Sequence, residues 1–246
     1  MKIAYGSDLH LEFYGKDIQN EIIKNFSFHE GTDLIVIAGD LHVGAENVID
    51  TLKLILEIHD IPIVYVPGNH EYYHSSFEAE NKKFLSNMDH DYIHILLKGK
   101  YVFGHVGIFG CYGHLDGSWK KINRVTHGAL NDFRLISDFD KRVELGESER
   151  EYLRDSLRNS NADVDIVVTH TMPSPRCISE KYKGSHLNPC FANDWEKEIV
   201  DYEPKYWICG HTHDIGKTYI HNTEILINPM GYPGENKNWD WRYIDV

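Results

Sequence analysis

Cysteine, positive charge and long apolar runs are all scarce in this chain, and each shortage excludes something. Only four cysteines occur, Cys111, Cys177, Cys190 and Cys209. They are widely spaced and form no CxxC pair, which argues against a disulfide framework or a thiolate zinc site. Lys and Arg total 25 against 38 Asp and Glu, a formal net charge of −13. Such a surface repels a phosphate backbone and disfavours nucleic acid as a partner, while leaving open a small phosphorylated ligand held by metal ions. No apolar run approaches the roughly 20 residues that span a bilayer, so no membrane partner is expected. Met1 leads directly into strand-like KIAY with no secretory leader, and the expected compartment is the cytoplasm. No repeat, low-complexity tract or linker is visible, and nothing in the sequence speaks to oligomeric state.

What remains is ordinary globular material: 246 residues, 41% hydrophobic and 26% charged, expected to form one domain over residues 1–246. Short apolar runs predict strands at 2–6, 34–38, 63–66, 164–169, 206–209, 215–220 and 223–227. Helical spacing predicts helices at 17–27, 45–59, 76–88, 147–159 and 194–201. Three runs between 92 and 111, joined by Gly-bearing turns, read as a β-meander. Residues 112–146 lack a period and read as an excursion near the site, and the aromatic tail from 228 reads as a surface wrap. The alternation of strand and helix in the first half, followed by a β-rich second half, predicts an α/β fold of two packed sheets flanked by helices.

Ile63–Glu71 (IVYVPGNHE) is the stretch around which the rest is organised. An apolar run ends at Pro67-Gly68, and the turn presents Asn69 and His70 together, an amide oxygen able to ligate a metal beside an imidazole able to move a proton. Ile3–His10, Leu34–His42, Ile166–His170 and Trp207–His213 repeat the design, an apolar run followed at once by Asp or His. Ligands of open α/β sheets collect beyond the carboxyl ends of strands. Asp8, His10, Asp40, Asn69, His70, His170, His211 and His213 are therefore expected to share one metal site. Isolated GD or GN pairs are ordinary turns, and His42, His105, His114 and His127 belong to no motif and read as bland.

Taken in order, DxH, GD, GNHE, TH and GHTH resemble the calcineurin-like metallophosphoesterase superfamily, and SDLHLEF, GNHEYY, DFR, the LNPCF loop and NPMGY resemble a small bacterial and phage-type group within it. The resemblance implies the four-layer αββα fold and two divalent metal ions: Asp8, His10 and His213 on one, Asn69, His170 and His211 on the other, and Asp40 bridging. Nitrogen and oxygen donors without thiolate suit Mn²⁺ (the first choice), Fe, Co²⁺, Ni²⁺ or Zn²⁺. Two such ions clamp a phosphoryl group and activate a water that attacks phosphorus in line. His70 corresponds to the family's catalytic histidine, which protonates the leaving alcohol or steadies the phosphate. Many relatives orient that histidine with an Asp three residues after the bridging one. Here Val43 stands there, which leaves the partner of His70 unassigned; Glu12 and Glu71 read as local hydrogen-bonding residues.

For substrate contact, Arg134 in the DFR motif is the candidate phosphate ligand. Trp119, Lys120, Lys121 and Arg124 form a weaker basic-aromatic cluster that reads more simply as a solvated loop. The implied activity is hydrolysis of a small phosphodiester, favoured over a phosphomonoester. The alternatives are a nuclease, which the acidic charge opposes, and a non-catalytic scaffold of the same fold, which His70 and the seven filled ligand positions oppose. Residues 39–44 read GDLHVG in place of the GDxxDRG of protein Ser/Thr phosphatases, so a protein substrate is disfavoured.

Overall fold

A computed structural model describes residues 1–87, 90–120 and 128–246. Its strands alternate with its helices as the periodicities require. In the first sheet, β1 (Lys2–Gly6), β2 (Thr32–Ala38), β3 (Ile63–Val66) and β4 (Ile93–Ile95) run parallel, and β11 (Arg242–Asp245) pairs antiparallel with β1. The second sheet has the order β5 (Gly99–Phe103), β6 (Val106–Gly110), β7 (Val164–Val168), β8 (Tyr206–Cys209), β10 (Thr223–Ile227), β9 (Gly216–Ile220). Its central strands β6, β7, β8 and β10 are parallel, and β5 and β9 close the edges antiparallel.

The period of two decides the layering. Leu34, Val36 and Ala38 of β2 point to one core with Ile3 and Tyr5 of β1, Val64 and Val66 of β3, and Ile108, Ile166 and Ile208 of the second sheet. The alternate residues Ile35, Ile37, Ile63 and Tyr65 pack instead on α1 (Lys16–Lys24), α2 (Ala45–His59) and α3 (Phe77–Ser86) through Ile23, Val48, Leu52, Ile55 and Phe84. On the far side, Phe109, Val167, Trp207 and Ile225 meet Leu153, Leu157 and Ile199 of α5 (Arg142–Arg158) and α6 (Glu196–Tyr202). Strands with apolar residues on both faces are what a sheet covered on both sides demands. The result is helix, sheet, sheet, helix, as expected.

Two expectations need correction. The predicted meander is divided: β4 joins the first sheet beside β3, and only β5 and β6 form a hairpin, in the second. Short strands of similar composition carry no label for the sheet they join. The tail does more than wrap the surface, since β11 is an edge strand and Trp241 is 4% exposed in the core beneath α1. Of the segment 112–146, residues 121–127 lie outside the described residues, and the described part holds a short α4 (Asp132–Leu135) and the start of α5 at 142. The four cysteines are free. Among the described residues no helix is long and apolar enough to cross a membrane.

Candidate metal centre

Five parallel strands, from both sheets, end at the same place. Asp8 lies two residues past β1, Asp40 two past β2, Asn69 and His70 just past β3, His170 two past β7 and His211 two past β8. The chain turns sharply at each of these points. Asp8, His10, Asp40, His211 and His213 all take left-handed backbone with φ of 53°, 45°, 53°, 73° and 47°, a conformation that costs a non-glycine residue about 1–3 kcal/mol and concentrates at functional sites. Packing is tight enough to dictate glycine beside them. A Cβ on Gly68 would stand 2.2 Å from Asp40 Oδ1, and one on Gly210 would stand 2.3 Å from Asp8 Oδ2.

Among the described residues the possible donor atoms form the groups Asp8–His10–His213 and Asp40–His170–His211, and a third, His10–Glu12–His70, that shares His10 with the first; the ligand atoms of each group lie within 4.8 Å of one another. His10 Nε2 is 3.7 Å from Asp40 Oδ2, so the first two groups adjoin. Asn69 joins the second group, its Oδ1 3.1 Å from His170 Nε2. The outer hydrogen bonds aim these atoms inward. His10 Nδ1 meets Glu12 at 3.1 Å, His213 Nδ1 meets Glu235 at 2.6 Å, His170 Nδ1 meets the Ala38 carbonyl at 2.8 Å, and His211 Nε2 meets the Cys190 carbonyl at 3.1 Å. Asn69 donates its NH₂ to Asp132 Oδ1 at 3.0 Å and to the Tyr73 hydroxyl at 3.1 Å, which leaves its oxygen facing the cluster. Such outer partners set the tautomer and aim of metal-binding imidazoles.

This donor set fits two divalent cations. With both Nδ1 atoms on carboxylates, His10 Nε2 and His213 Nε2 face each other across 2.9 Å, an arrangement that needs a positive particle between them. His170 Nε2 likewise faces two oxygens, Asn69 Oδ1 and, at 3.3 Å, Asp40 Oδ2. The cluster is short of positive charge and draws protons in its place. Burial opposes charge on His170, yet Asp40 raises its pKa to about 10. Burial opposes it on His213 too, yet the hydrogen bond and charge of Asp8 raise it to about 9. His211, half-buried, is pushed down to about 4 by loss of solvation and by the charged His170 beside it.

His70 sits against this cluster, its ring centroid 4.4 Å from that of His10. Its backbone N–H donates to Asp40 Oδ1 at 2.9 Å, Nδ1 meets Glu12 Oε1 at 2.7 Å, and Nε2 lies 3.3 Å from the Tyr232 hydroxyl. Burial lowers its pKa, but the charges of Asp40 and Glu12 outweigh that and raise it. Glu71 of the same motif is fully buried and accepts from the N–H of Gly68 (2.7 Å), Leu41 (2.8 Å) and Asp40 (3.2 Å) and from the Tyr65 hydroxyl (2.5 Å). It ties the β2 and β3 turns together, the local role expected of it, and burial with the nearby Asp40 charge lifts its pKa to about 7.

The structure thus brings Asp8, His10, Asp40, Asn69, His70, His170, His211 and His213 to one place. It does not bring Arg134 there: that side chain is exposed and bonded to Asn131, while Asn131 and Asp132 line the cleft. One turn of α4 cannot present all its residues to the same face, and the motif's acid points inward. Trp119 and Lys120 line a separate hollow with Leu115 and Arg142; Lys121, Arg124 and His127 lie outside the described residues. Asp132, Tyr73, Tyr232 and Glu235 went unassigned from sequence, and Glu12, read as a local hydrogen-bonding residue, meets both His10 and His70. Asp132 and Tyr232 stood within recognisable short motifs, and Glu12 lies two residues past His10, whereas Glu235 had no spacing to mark it. His114, in no motif, is buried against Glu149 at 2.9 Å.

Comparison with known proteins agrees with this geometry. A calcineurin-like phosphoesterase family model matches residues 1–214. An uncharacterized protein of Acanthamoeba polyphaga mimivirus is 26% identical over 276 residues, covering 99% of this chain and 96% of its own. Among solved structures, the phosphopantetheinyl hydrolase of Mycobacterium tuberculosis superposes with a TM-score of 0.76 at 16% identity, covering 99% of this chain and 95% of that one. GAP50, the anchor in the inner membrane complex of Plasmodium, superposes at 0.53 with 14% identity, covering 92% and 70%. At these identities the structural likeness is one of fold.

Proposed function

The chain belongs to the calcineurin-like phosphoesterase family, and from that premise we propose that this metal-dependent phosphoester hydrolase acts on a small phosphodiester. The observation that carries the reading is the pair of adjoining donor groups with His70 held against them by Glu12. In this reading Asp8, His10 and His213 hold one cation, Asn69, His170 and His211 hold the other, and Asp40 lies between; Mn²⁺ suits the mixed donors. When bound, the two cations supply positive charge to the phosphoryl oxygens and acidify a water.

The protein's own groups do the rest. With Nδ1 on Glu12, His70 keeps Nε2 toward the cleft, where its proton can pass to the departing alkoxide. Tyr232 steadies the same nitrogen through its hydroxyl. Two divalent ions less the charges of Asp8 and Asp40 leave a net of about two positive charges. Among the described residues no Lys or Arg lines the cleft, whereas the carboxyl groups of Asp132 and Glu235 do; they subtract from that positive charge and favour a singly charged diester over a dianionic monoester. The net charge of −13 keeps nucleic acid in second place.

The test is turnover of aryl phosphodiesters and their matching monoesters in Mn²⁺, by wild type and His70→Ala. The expected result is diester preference, with His70→Ala lowering kcat about 10²–10⁴-fold and more for a phenyl than for a nitrophenyl leaving group, since the poorer leaving group needs the proton more. Equal losses for both leaving groups would reassign His70 to steadying the phosphate. Absence of turnover by metal-loaded protein would overturn the reading.

A further inference from the structure

The cleft of about 340 Å³ extends past the donor cluster along Ile178, Tyr182, Leu187 and Phe191. These residues come from the chain between β7 and α6. Phe191 packs on His211 with ring centroids 4.9 Å apart, so this wall is continuous with the metal donors. Around the same opening, large aromatic side chains are left in water. Tyr182 is 43% exposed and Tyr232 38%, and Phe13, 53% exposed, stands 5.1 Å from the Tyr232 ring. Apolar and aromatic side chains beside a polar centre are the usual form of a small-molecule site.

The charges of the cleft are already engaged. Its acids other than Asp40 are Asp132 and Glu235. Asp132 accepts from Asn69 and Tyr73, and Glu235 from the His213 ring and the Tyr232 N–H. Neither is free to hold a cation, and both repel a second anion. Asn131, Ser185 and Asn188 offer neutral hydrogen-bonding groups along the same surface.

We propose that the organic arm of the substrate is uncharged and ring-bearing, and that it lies on Tyr182, Leu187 and Phe191 while the phosphoryl group occupies the donor cluster; this rests on the phosphoester reading above. A substrate with a second phosphate or a carboxylate on that arm is rejected by Asp132 and Glu235. Tyr182 and Leu187 are the specificity-determining residues. The Tyr182 ring is half exposed, and the Lys181 ammonium 4.8 Å from its centroid is itself neutralised by Asp214 and so is not free to draw an anionic arm.

Calorimetric titration of Mn²⁺-loaded protein with the singly charged dimethylphosphinate, methyl(phenyl)phosphinate and (4-carboxyphenyl)methylphosphinate tests this without relying on turnover. The phenyl compound is expected to bind about tenfold more tightly than the dimethyl one, as burial of a ring in place of a methyl implies. The carboxyphenyl compound is expected to lose most of that gain. Tyr182→Ala, and separately Leu187→Ala, should bring the phenyl-to-dimethyl ratio toward one. Equal binding of dimethyl and phenyl compounds by wild type overturns the arm site alone, and equal binding of phenyl and carboxyphenyl compounds overturns its charge selection. Failure of all three to bind protein that holds Mn²⁺ instead overturns the phosphoester reading itself.

Discussion

Glu12 belongs to no donor set in the reading above, yet one of its oxygens meets Nδ1 of both His10 and His70, at 3.1 and 2.7 Å. One carboxylate therefore holds the rings of both a candidate metal donor and the histidine proposed to give up the proton. It also resolves the departure at Val43: the partner of His70 comes from the short helical turn after β1 and not from the turn after β2. Hydrogen bonds from both imidazoles overcome the effect of burial and hold the Glu12 pKa below the usual carboxylate range, so it accepts at neutral pH. Glu12→Ala is expected to lower kcat about 10–100-fold, the usual cost of losing an orienting partner, with a much smaller change in KM. Steady-state kinetics beside a thermal melt checks this. A KM effect alone, or loss of fold, would show that Glu12 acts in packing.

At the scale of elements, β11 and the tryptophans before it close the first sheet. Gly6 of β1 leaves room for them: a Cβ there would meet Trp239 at 2.8 Å and Trp241 at 3.1 Å. Trp241 stacks edge-on with Phe26 at 5.3 Å and lies near Phe28 at 5.0 Å, joining the tail to the end of α1. Asn228, just before the tail, donates to the Tyr5 carbonyl at 3.0 Å, and the Gly231 N–H donates to the Asp8 carbonyl at 2.9 Å. The tail therefore supports the turn that carries Asp8 and delivers Tyr232 and Glu235 to the cleft. Trp241→Ala should cost about 3–5 kcal/mol of stability, as large aromatic truncations in cores do, read as a lower urea midpoint. A loss below about 1 kcal/mol would mean that the tail is packed on the sheet without supporting it.

Across the whole molecule, the site is where the two sheets are tied. His170 from the second sheet meets the Ala38 carbonyl of the first at 2.8 Å, and the His211 N–H donates to Asp8 at 3.0 Å. Cations bound here join donors from both sheets, so binding should stabilise the fold as a unit. At a hundred times Kd the linkage amounts to about 2.7 kcal/mol, or about 5–10 °C in Tm for a chain of this size. Scanning calorimetry of chelator-treated protein with and without Mn²⁺ measures it. An unchanged Tm at saturating Mn²⁺ would show that the cations do not bridge the sheets.

Much of this could be read from the sequence, because the signals were local. Apolar runs broken by Gly, Asp and His mark strand ends, and the period of two in LIVIA or IVYV encodes which residues face the helices and which face the other sheet. Those patterns determined the α/β class and marked the seven candidate donor residues and His70, which the fold brings together. What only the tertiary structure decided depends on residues far apart in the chain. β4 parts from β5 because pairing energy is set by available edges and not by composition. Glu12 reaches His70 58 residues away, and Glu235 reaches His213 22 residues away, beyond β9 and β10, with no motif to announce it. Asp132 rather than Arg134 enters the cleft because a single helical turn chooses which side chain faces inward. Each is a matter of direction and distance, which a one-dimensional pattern does not carry.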